Sequence, residues 1–149
     1  MAFHWNIQID APPEAVFDTL ADMPHHGEWA NHKAKLTVHE VSGGPPALGS
    51  KYRSEQVFFG KPAAAQLEIT AFDRPNRFAF AVTQPQGKKD VHLTQTFVLT
   101  PSQGGTRLER ITDGDGNPIV GFIAYPAIKA DGNVQLRNLK ARVESSRTG

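Results

Sequence analysis

A short stretch near the N-terminus constrains the fold most, because it contains a strand, a stop and a helix in quick succession. Residues 3–10 alternate between apolar and polar side chains, and this period of two is typical of a half-buried strand. The Pro12–Pro13 pair then ends the strand, since proline lacks the amide hydrogen that a β-ladder needs but is tolerated in a first helical turn. Val16, Phe17 and Leu20 share one face of the predicted helix that follows. A β-strand followed directly by a short amphipathic helix is therefore expected.

The middle of the chain has the pattern of an antiparallel meander. Short segments with apolar and polar alternation are separated by turns rich in Gly, Pro, Asn and Asp. The predicted strands are 36–41, 51–59, 65–72, 78–82, 91–99 and 106–112. Evenly spaced strands of this kind predict one antiparallel sheet. Pro24 is expected to open a second short helix before the first of them.

A long helix is predicted at the C-terminal end. Asn117 is a favourable N-cap, and Pro118 suits the first helical position. Pro126 removes a backbone hydrogen bond inside the helix, so a kink or a break is expected there. Apolar residues at helical spacing form the face that is expected to pack on the sheet: Ile119, Phe122, Ile123, Leu136, Leu139 and Val143.

Composition excludes several classes of protein. The 149 residues favour a single domain over 1–149, and the absence of cysteine removes disulfides, thiolate metal sites and cysteine nucleophiles. A formal net charge of +1 argues against nucleic-acid binding. No run of apolar residues is long enough for a membrane span, and no export signal is recognisable, which favours the cytoplasm. No cofactor is predicted, and the oligomeric state is left open.

The order of these elements resembles the START-like (SRPBCC) superfamily, in particular its polyketide cyclase/dehydrase-like branch. The resemblance depends on five segments in sequence order: residues 9–17, Trp29, residues 48–52, residues 73–78 and residues 104–108. It implies an α+β helix-grip fold, in which a curved antiparallel sheet of about seven strands wraps around a long C-terminal helix, with two short helices between strands 1 and 2. It also implies a cavity between the sheet and the helix, but no single activity.

Three polar side chains are expected on the inner face of the sheet. Val91, Leu93, Gln95, Phe97 and Leu99 form the more apolar set of their strand, so this set is placed inside and takes Gln95 with it. By the same rule Leu108 brings Arg110 and Thr112 inside, although a register slip of one residue would reverse them. A buried amide or guanidinium needs a partner, which is either the protein itself or a polar group of the ligand.

Aromatic residues could line such a cavity, because ligand pockets are mostly apolar with a few polar groups. Trp29 and Tyr52 are preferred, since each carries a polar group that suits a wet pocket rim. The predicted ligand-binding residues are Trp29, Tyr52, Phe58, Phe80, Gln95, Phe97, Arg110 and Phe122.

No catalytic or metal-binding motif is recognisable. His25, His26, Glu28 and His32 do not have the spacing of a zinc helix, so these histidines are expected in solvent or at a rim. A calcium loop at 113–117 lacks its required glycine and glutamate, and no nucleophile elbow exists. If strand 51–59 turns Glu55 inward, Glu55 is the candidate general base, but either face of that strand could be the inner one.

Three functions follow from these expectations. The first is binding of a hydrophobic or aromatic small molecule, such as a lipid or a polyketide-like compound. The second is an aromatase/cyclase or dehydratase that uses the same cavity, with Arg110 or Tyr52 polarising a carbonyl group. The third is a partner-binding module of the co-chaperone type. An inward carboxylate, Tyr or His near Arg110 would favour the enzyme.

Overall fold

The computed structural model describes residues 2–58, 60–86 and 88–148, and these ranges contain seven strands and two α-helices. The strands are β1 (Ala2–Ile9), β2 (Thr37–Glu40), β3 (Lys51–Phe58), β4 (Lys61–Asp73), β5 (Arg77–Gln86), β6 (Lys89–Ser102) and β7 (Gly105–Gly114). The helices are α1 (Pro13–Ala21) and α2 (Pro118–Thr148). Two 3₁₀ helices, Met23–Glu28 and His32–Ala34, lie between α1 and β2.

The strands form one sheet in the order β1-β7-β6-β5-β4-β3-β2, and every neighbouring pair is antiparallel. A register shift between Ile69 and Ala71 marks a bulge in β4, and bulges bend a sheet. The predicted helix-grip fold of about seven strands, with short helices after the first strand and a long helix at the end, is confirmed.

Both predicted helix starts are found where the sequence puts them. α1 begins at Pro13 directly after β1. At the start of α2 the Oδ1 atom of Asn117 accepts a hydrogen bond from the amide of Ile119 at 2.9 Å, which satisfies one of the unpaired donors of the first turn. No helix within the described ranges combines the length and the hydropathy that a membrane span requires.

The concave face of the sheet has a closed half and an open half. In the closed half, side chains such as Phe78, Phe97 and Leu108 are fully buried under α1, and the ring of Phe17 packs edge-on against Phe78 with centroids 5.8 Å apart. Farther along β5, β6 and β7, and on the neighbouring β3 and β4, lies the open half, which comprises Tyr52, Ser54, Ala65, Leu67, Phe80, Gln95 and Thr112. Most of its side chains are buried but not inaccessible, with exposed fractions of 4% at Tyr52, 8% at Phe80 and 9% at Thr112, and Gln95 is half-buried.

The two ends of α2 differ in their packing. Leu136, Leu139 and Val143 are buried in the core as predicted, whereas the first turns are exposed. The prediction that Ile119, Phe122 and Ile123 pack on the sheet is wrong, because their exposed fractions are 69–74%. From this part of the helix the ring of Tyr125 reaches Phe3 in the edge strand β1, with centroids 5.3 Å apart.

Of the kink or break predicted at Pro126, the break does not occur, since α2 is one helix from Pro118 to Thr148. A proline in a helix leaves one carbonyl without its amide partner. Here that carbonyl belongs to Phe122, which lies in the exposed part of α2, so water can satisfy it and the helix continues.

Candidate functional site

A polar group surrounded by aromatic rings lies on the concave face where the closed and open halves meet. It is built by cross-strand neighbours of β1, β7, β6 and β5. Two rows form it, Trp5–Arg110–Phe97 and Thr112–Gln95–Phe80. Arg110 therefore lies on the inner face, as the sequence predicts, and is 7% exposed.

The guanidinium of Arg110 is held by two amide oxygens and two rings. Its Nε donates to Gln95 Oε1 at 3.2 Å, and its Nη1 donates to Gln135 Oε1 at 2.7 Å. The central carbon lies 5.3 Å from the Trp5 ring centroid and 5.5 Å from that of Phe97, within the range of cation–π attraction. Helix α2 and three strands thus fix the cation in place.

The hydrogen bonds of Arg110 do not use all of its donors. A guanidinium has five N–H groups, and the described residues accept hydrogen bonds from two of its nitrogens, Nε and Nη1. The negative charge that acts on it is Asp131, which accepts hydrogen bonds from Gln135 and Asn31. Burial lowers the pKa of Arg110 to about 10, and Asp131 acts in the opposite direction. The side chain is therefore a buried cation at neutral pH with donors to spare.

His26 is buried close to this cation. Its ring lies against Trp29, with centroids 4.7 Å apart, and against Phe80, with centroids 5.9 Å apart. Its Nε2 lies 2.6 Å from the carbonyl oxygen of Leu20, which can only accept, so Nε2 carries the hydrogen. Burial, and to a smaller extent the charge of Arg110, lower the pKa of His26 to about 4, although the hydrogen bond to the Leu20 carbonyl acts in the opposite direction. The imidazole is neutral at pH 7.

The expectation that His26 lies in solvent or at a rim is wrong. A 3₁₀ helix has three residues per turn, so residues three apart share a face. In the 3₁₀ helix Met23–Glu28 this period turns Met23 and His26 inward, and Trp29 directly after the helix lies on the same side. The spacing Met-x-x-His-x-x-Trp was the signal in the sequence, and it is recognisable only if the period of three is considered. His25 is exposed and hydrogen-bonded to Asp22, as expected of a solvated histidine.

Trp29 has a buried indole N–H without a hydrogen-bond partner. Its Nε1 is the only buried side-chain nitrogen or oxygen in the described part of the chain for which no partner exists. An unsatisfied buried donor costs roughly 1–3 kcal/mol. By contrast, Trp5 Nε1 donates to the carbonyl of Lys129 at 3.1 Å. The indole N–H of Trp29 is therefore unpaired among the described residues, whereas that of Trp5 is already hydrogen-bonded.

The other predicted ligand-binding residues lie in several different places. Tyr52 and Phe80 lie in the open half, and Phe97 lies in the closed half under Arg110. Phe122 is on the exposed part of α2, 74% accessible to solvent. The side chain of Phe58 lies outside the described residues. The structure thus brings together Trp29, Phe80, Gln95, Phe97 and Arg110.

The structure shows which face of β3 points inward. Tyr52 and Ser54 are buried on the concave side, whereas Glu55 points to solvent beside Arg53. Glu55 is therefore not an inward general base, and the proposal that it could be one is wrong. Burial raises the pKa of the Tyr52 phenol, and hydrogen bonding to Ser50 acts in the other direction. Within the described residues no three His, Asp or Glu side chains converge as metal ligands.

Two depressions lie elsewhere on the surface. One of about 680 Å³ is lined by residues 88–91 and 115–117, between the β5–β6 hairpin and the start of α2. The other, of about 440 Å³, lies on the outer face of β6 and β7 and is lined by residues such as His92, Thr94 and Ile111. Neither lies between the sheet and α2, so the predicted internal cavity is not one of them.

Comparison with known proteins gives a family and a fold. The family model described as polyketide cyclase/dehydrase and lipid transport matches residues 3–144. The crystal structure of protein CV1439 from Chromobacterium violaceum has a TM-score of 0.77 at 18% identity, with 96% of each chain covered. The crystal structure of TTHA0849 from Thermus thermophilus has a TM-score of 0.73 at 21% identity, with 98% of this chain and 99% of that chain covered. At these identities the likeness to solved structures concerns the fold alone.

Proposed function

Because the chain belongs to the polyketide cyclase/dehydrase and lipid transport family, we propose that it binds a hydrophobic or aromatic small molecule in the open half of the concave face, beside α2. This membership confirms the START-like resemblance of the sequence. The family description names cyclisation, dehydration and lipid transport, and hydrophobic molecules are the ligands common to them. The family description does not specify a single ligand.

The observation that supports this proposal is the buried guanidinium of Arg110, whose donors are not all used. A buried cation with unused donors, set among the rings of Trp5 and Phe97, suits a carboxylate or carbonyl oxygen of the ligand. The apolar part of the ligand would then lie against Phe80, Leu67 and the neighbouring side chains. Removing apolar surface from water stabilises the complex by about 25 cal/mol per Å², and Arg110 orients the polar end.

The test uses a pair of aromatic probes that differ in charge. Calorimetric titration should show that 2-naphthoic acid binds more tightly than 2-naphthamide, because the carboxylate forms an ion pair with Arg110, whereas the amide offers only a neutral acceptor. Arg110→Met should weaken the acid by at least about tenfold and the amide by a smaller factor. Native mass spectrometry of protein purified from its own host would in parallel detect a small molecule that is retained.

Arg107→Met is the matched control. Arg107 lies on the same strand but points to solvent, where it contacts Glu109 and Asn6. The Arg107→Met substitution removes the same charge but leaves the concave face unchanged. If Arg107→Met and Arg110→Met weaken the acid equally, Arg110 is not the anchor. If no apolar probe binds and none is retained from the host, the binding proposal fails and the partner-binding module becomes the better account.

A second candidate function, dehydration or cyclisation, is favoured by His26. Loss of water from a β-hydroxyketone needs a base for the α-proton and a group that stabilises the resulting enolate oxygen. The neutral imidazole of His26 can accept the α-proton and return it to the hydroxyl group as the C–O bond breaks, so that water leaves, and Arg110 can bind the enolate oxygen. Incubation with a β-hydroxyketone should then yield a product lighter by one water, and His26→Gln should abolish the yield while the substrate still binds. Absence of product with the wild-type protein would exclude this reaction for that substrate.

A further inference from the structure

We propose that the rings of His26 and Trp29 form a subsite for a hydroxyl group of the ligand. The preferred ligand would then be an apolar molecule that carries both a hydroxyl group and an acidic or carbonyl group, the second of which binds Arg110. This inference rests on the proposed binding function and adds the chemical class of the ligand.

The donor of the subsite is the indole N–H of Trp29. It is buried and has no partner among the described residues, so it can bond to a ligand atom without breaking a bond inside the protein. Trp29 is only 4% exposed, so bulk water does not satisfy its N–H group. A buried N–H of this kind favours an acceptor atom supplied from outside the chain.

The acceptor is Nδ1 of His26. Because the hydrogen of the neutral ring is on Nε2 and directed to the Leu20 carbonyl, Nδ1 has a free lone pair. No hydrogen bond to Nδ1 is present in the described ranges of the chain. The His26 and Trp29 ring centroids are 4.7 Å apart, so the two rings contact each other, and in the proposed subsite the hydroxyl group lies at their shared edge.

Only some chemical groups satisfy a donor and an acceptor at once. An alcohol or phenol hydroxyl accepts from Trp29 and donates to His26, whereas a carboxylate cannot donate and an ammonium group cannot accept. The subsite also adjoins the anchor, since His26 contacts Phe80 and Phe80 lies opposite Gln95, which accepts from Arg110. One ligand can therefore occupy both places.

The experiment compares 2-naphthoic acid with a set of its hydroxylated isomers. Calorimetry with the wild-type protein should show that at least one isomer binds about tenfold more tightly than the parent acid, the effect of one satisfied buried hydrogen bond. Trp29→Phe should reduce this preference to about onefold. Arg110→Met should weaken the parent acid and its isomers alike, so that the preference for the hydroxylated isomer is kept.

A second measurement covers the case in which Trp29→Phe does not fold. In protein labelled with ¹⁵N-tryptophan, the two indole N–H signals report Trp5 and Trp29 separately, and the hydroxylated isomer should shift the Trp29 proton downfield. The Trp5 signal is the internal control, because its N–H is already bonded to Lys129.

The outcomes separate the subsite from the binding function. Equal affinity for the parent acid and every isomer, or an unmoved Trp29 signal with a bound isomer, would overturn the subsite and leave the binding proposal intact. Equal affinities are also expected if a water molecule fills the subsite and no hydroxyl group displaces it, and this outcome likewise overturns the subsite. Failure of the parent acid and of all other apolar probes to bind would overturn the binding proposal and this inference together.

Discussion

Trp5 packs directly on the backbone of α2 because residue 132 has no side chain. A Cβ atom at Gly132 would lie 2.3 Å from a ring carbon of Trp5, far closer than any van der Waals contact. The indole in turn bonds to the Lys129 carbonyl and stacks beside the guanidinium of Arg110. The absence of one side chain therefore positions the edge strand, the helix and the buried cation together.

Gly132→Ala should destabilise the protein although alanine is the better helix former. The gain in helix propensity is about 1 kcal/mol, whereas forcing a methyl group into a packed core costs typically 1–3 kcal/mol and displaces Trp5. Urea denaturation should show a net loss of about 1 kcal/mol. Gly121→Ala, in the exposed part of α2, is the control and should not lower the stability. A stabilised Gly132→Ala variant would contradict the close packing.

His26 should make the stability depend on pH between about 4 and 6.5. The folded pKa is lowered to about 4, so on acidification the unfolded chain takes up a proton that the folded protein refuses. Stability is therefore full above the unfolded pKa and falls as the pH drops, by about 2 kcal/mol between pH 7 and pH 5. Asp18, whose pKa is lowered below 3.8 by Arg74, acts only under more acidic conditions.

Urea denaturation at pH 7 and pH 5 measures this effect. His26→Gln retains a donor for the Leu20 carbonyl but does not titrate, so its loss of stability over the same interval should be much smaller. His25→Gln is the control, since the pKa of exposed His25 is raised by Asp22 and its removal leaves the burial of His26 unchanged. Equal losses in the wild-type protein and in His26→Gln would show that His26 is not the titrating group.

At the scale of elements, the sequence predicts some features of the fold and misses others. The difference lies in the structural information that each sequence pattern contains. Period-two alternation predicted the seven strands, because each strand has one buried and one exposed face. The position of His26 was missed because a 3₁₀ helix repeats every three residues rather than every 3.6. The exposure of Phe122 was missed because an apolar pattern indicates which residues favour burial, but not whether another element lies opposite them.

The two ends of α2 should respond differently to truncation of apolar side chains. Leu139 is fully buried, so Leu139→Ala should lower the free energy of unfolding by about 2–5 kcal/mol. Phe122→Ala, at an exposed position of the same helix, should change it by no more than about 0.5 kcal/mol. Chemical denaturation measures both. A loss at Phe122 comparable to that at Leu139 would mean that the first turns of α2 are packed in solution.

At the scale of the whole molecule, the concave face divides into a closed half that stabilises the fold and an open half where we propose that a ligand binds. Phe97 and Phe80 lie on neighbouring strands of this face, but Phe97 is inaccessible while Phe80 keeps 8% of its surface. The sequence could place both residues on the inner face. It could not divide that face, because the division depends on where α1 and the second half of α2 cover the sheet.

Phe97→Ala and Phe80→Ala test this division in one pair of variants. Phe97→Ala should cost about 3–5 kcal/mol, since the cavity it leaves in the closed half stays empty. Phe80→Ala should cost at least about 1 kcal/mol less, because water can enter beside the open half. Its affinity for 2-naphthoic acid should fall, whereas Phe97→Ala, studied where it remains folded, should change that affinity less. Equal losses of stability, or a larger loss of affinity at Phe97, would contradict the division of the concave face.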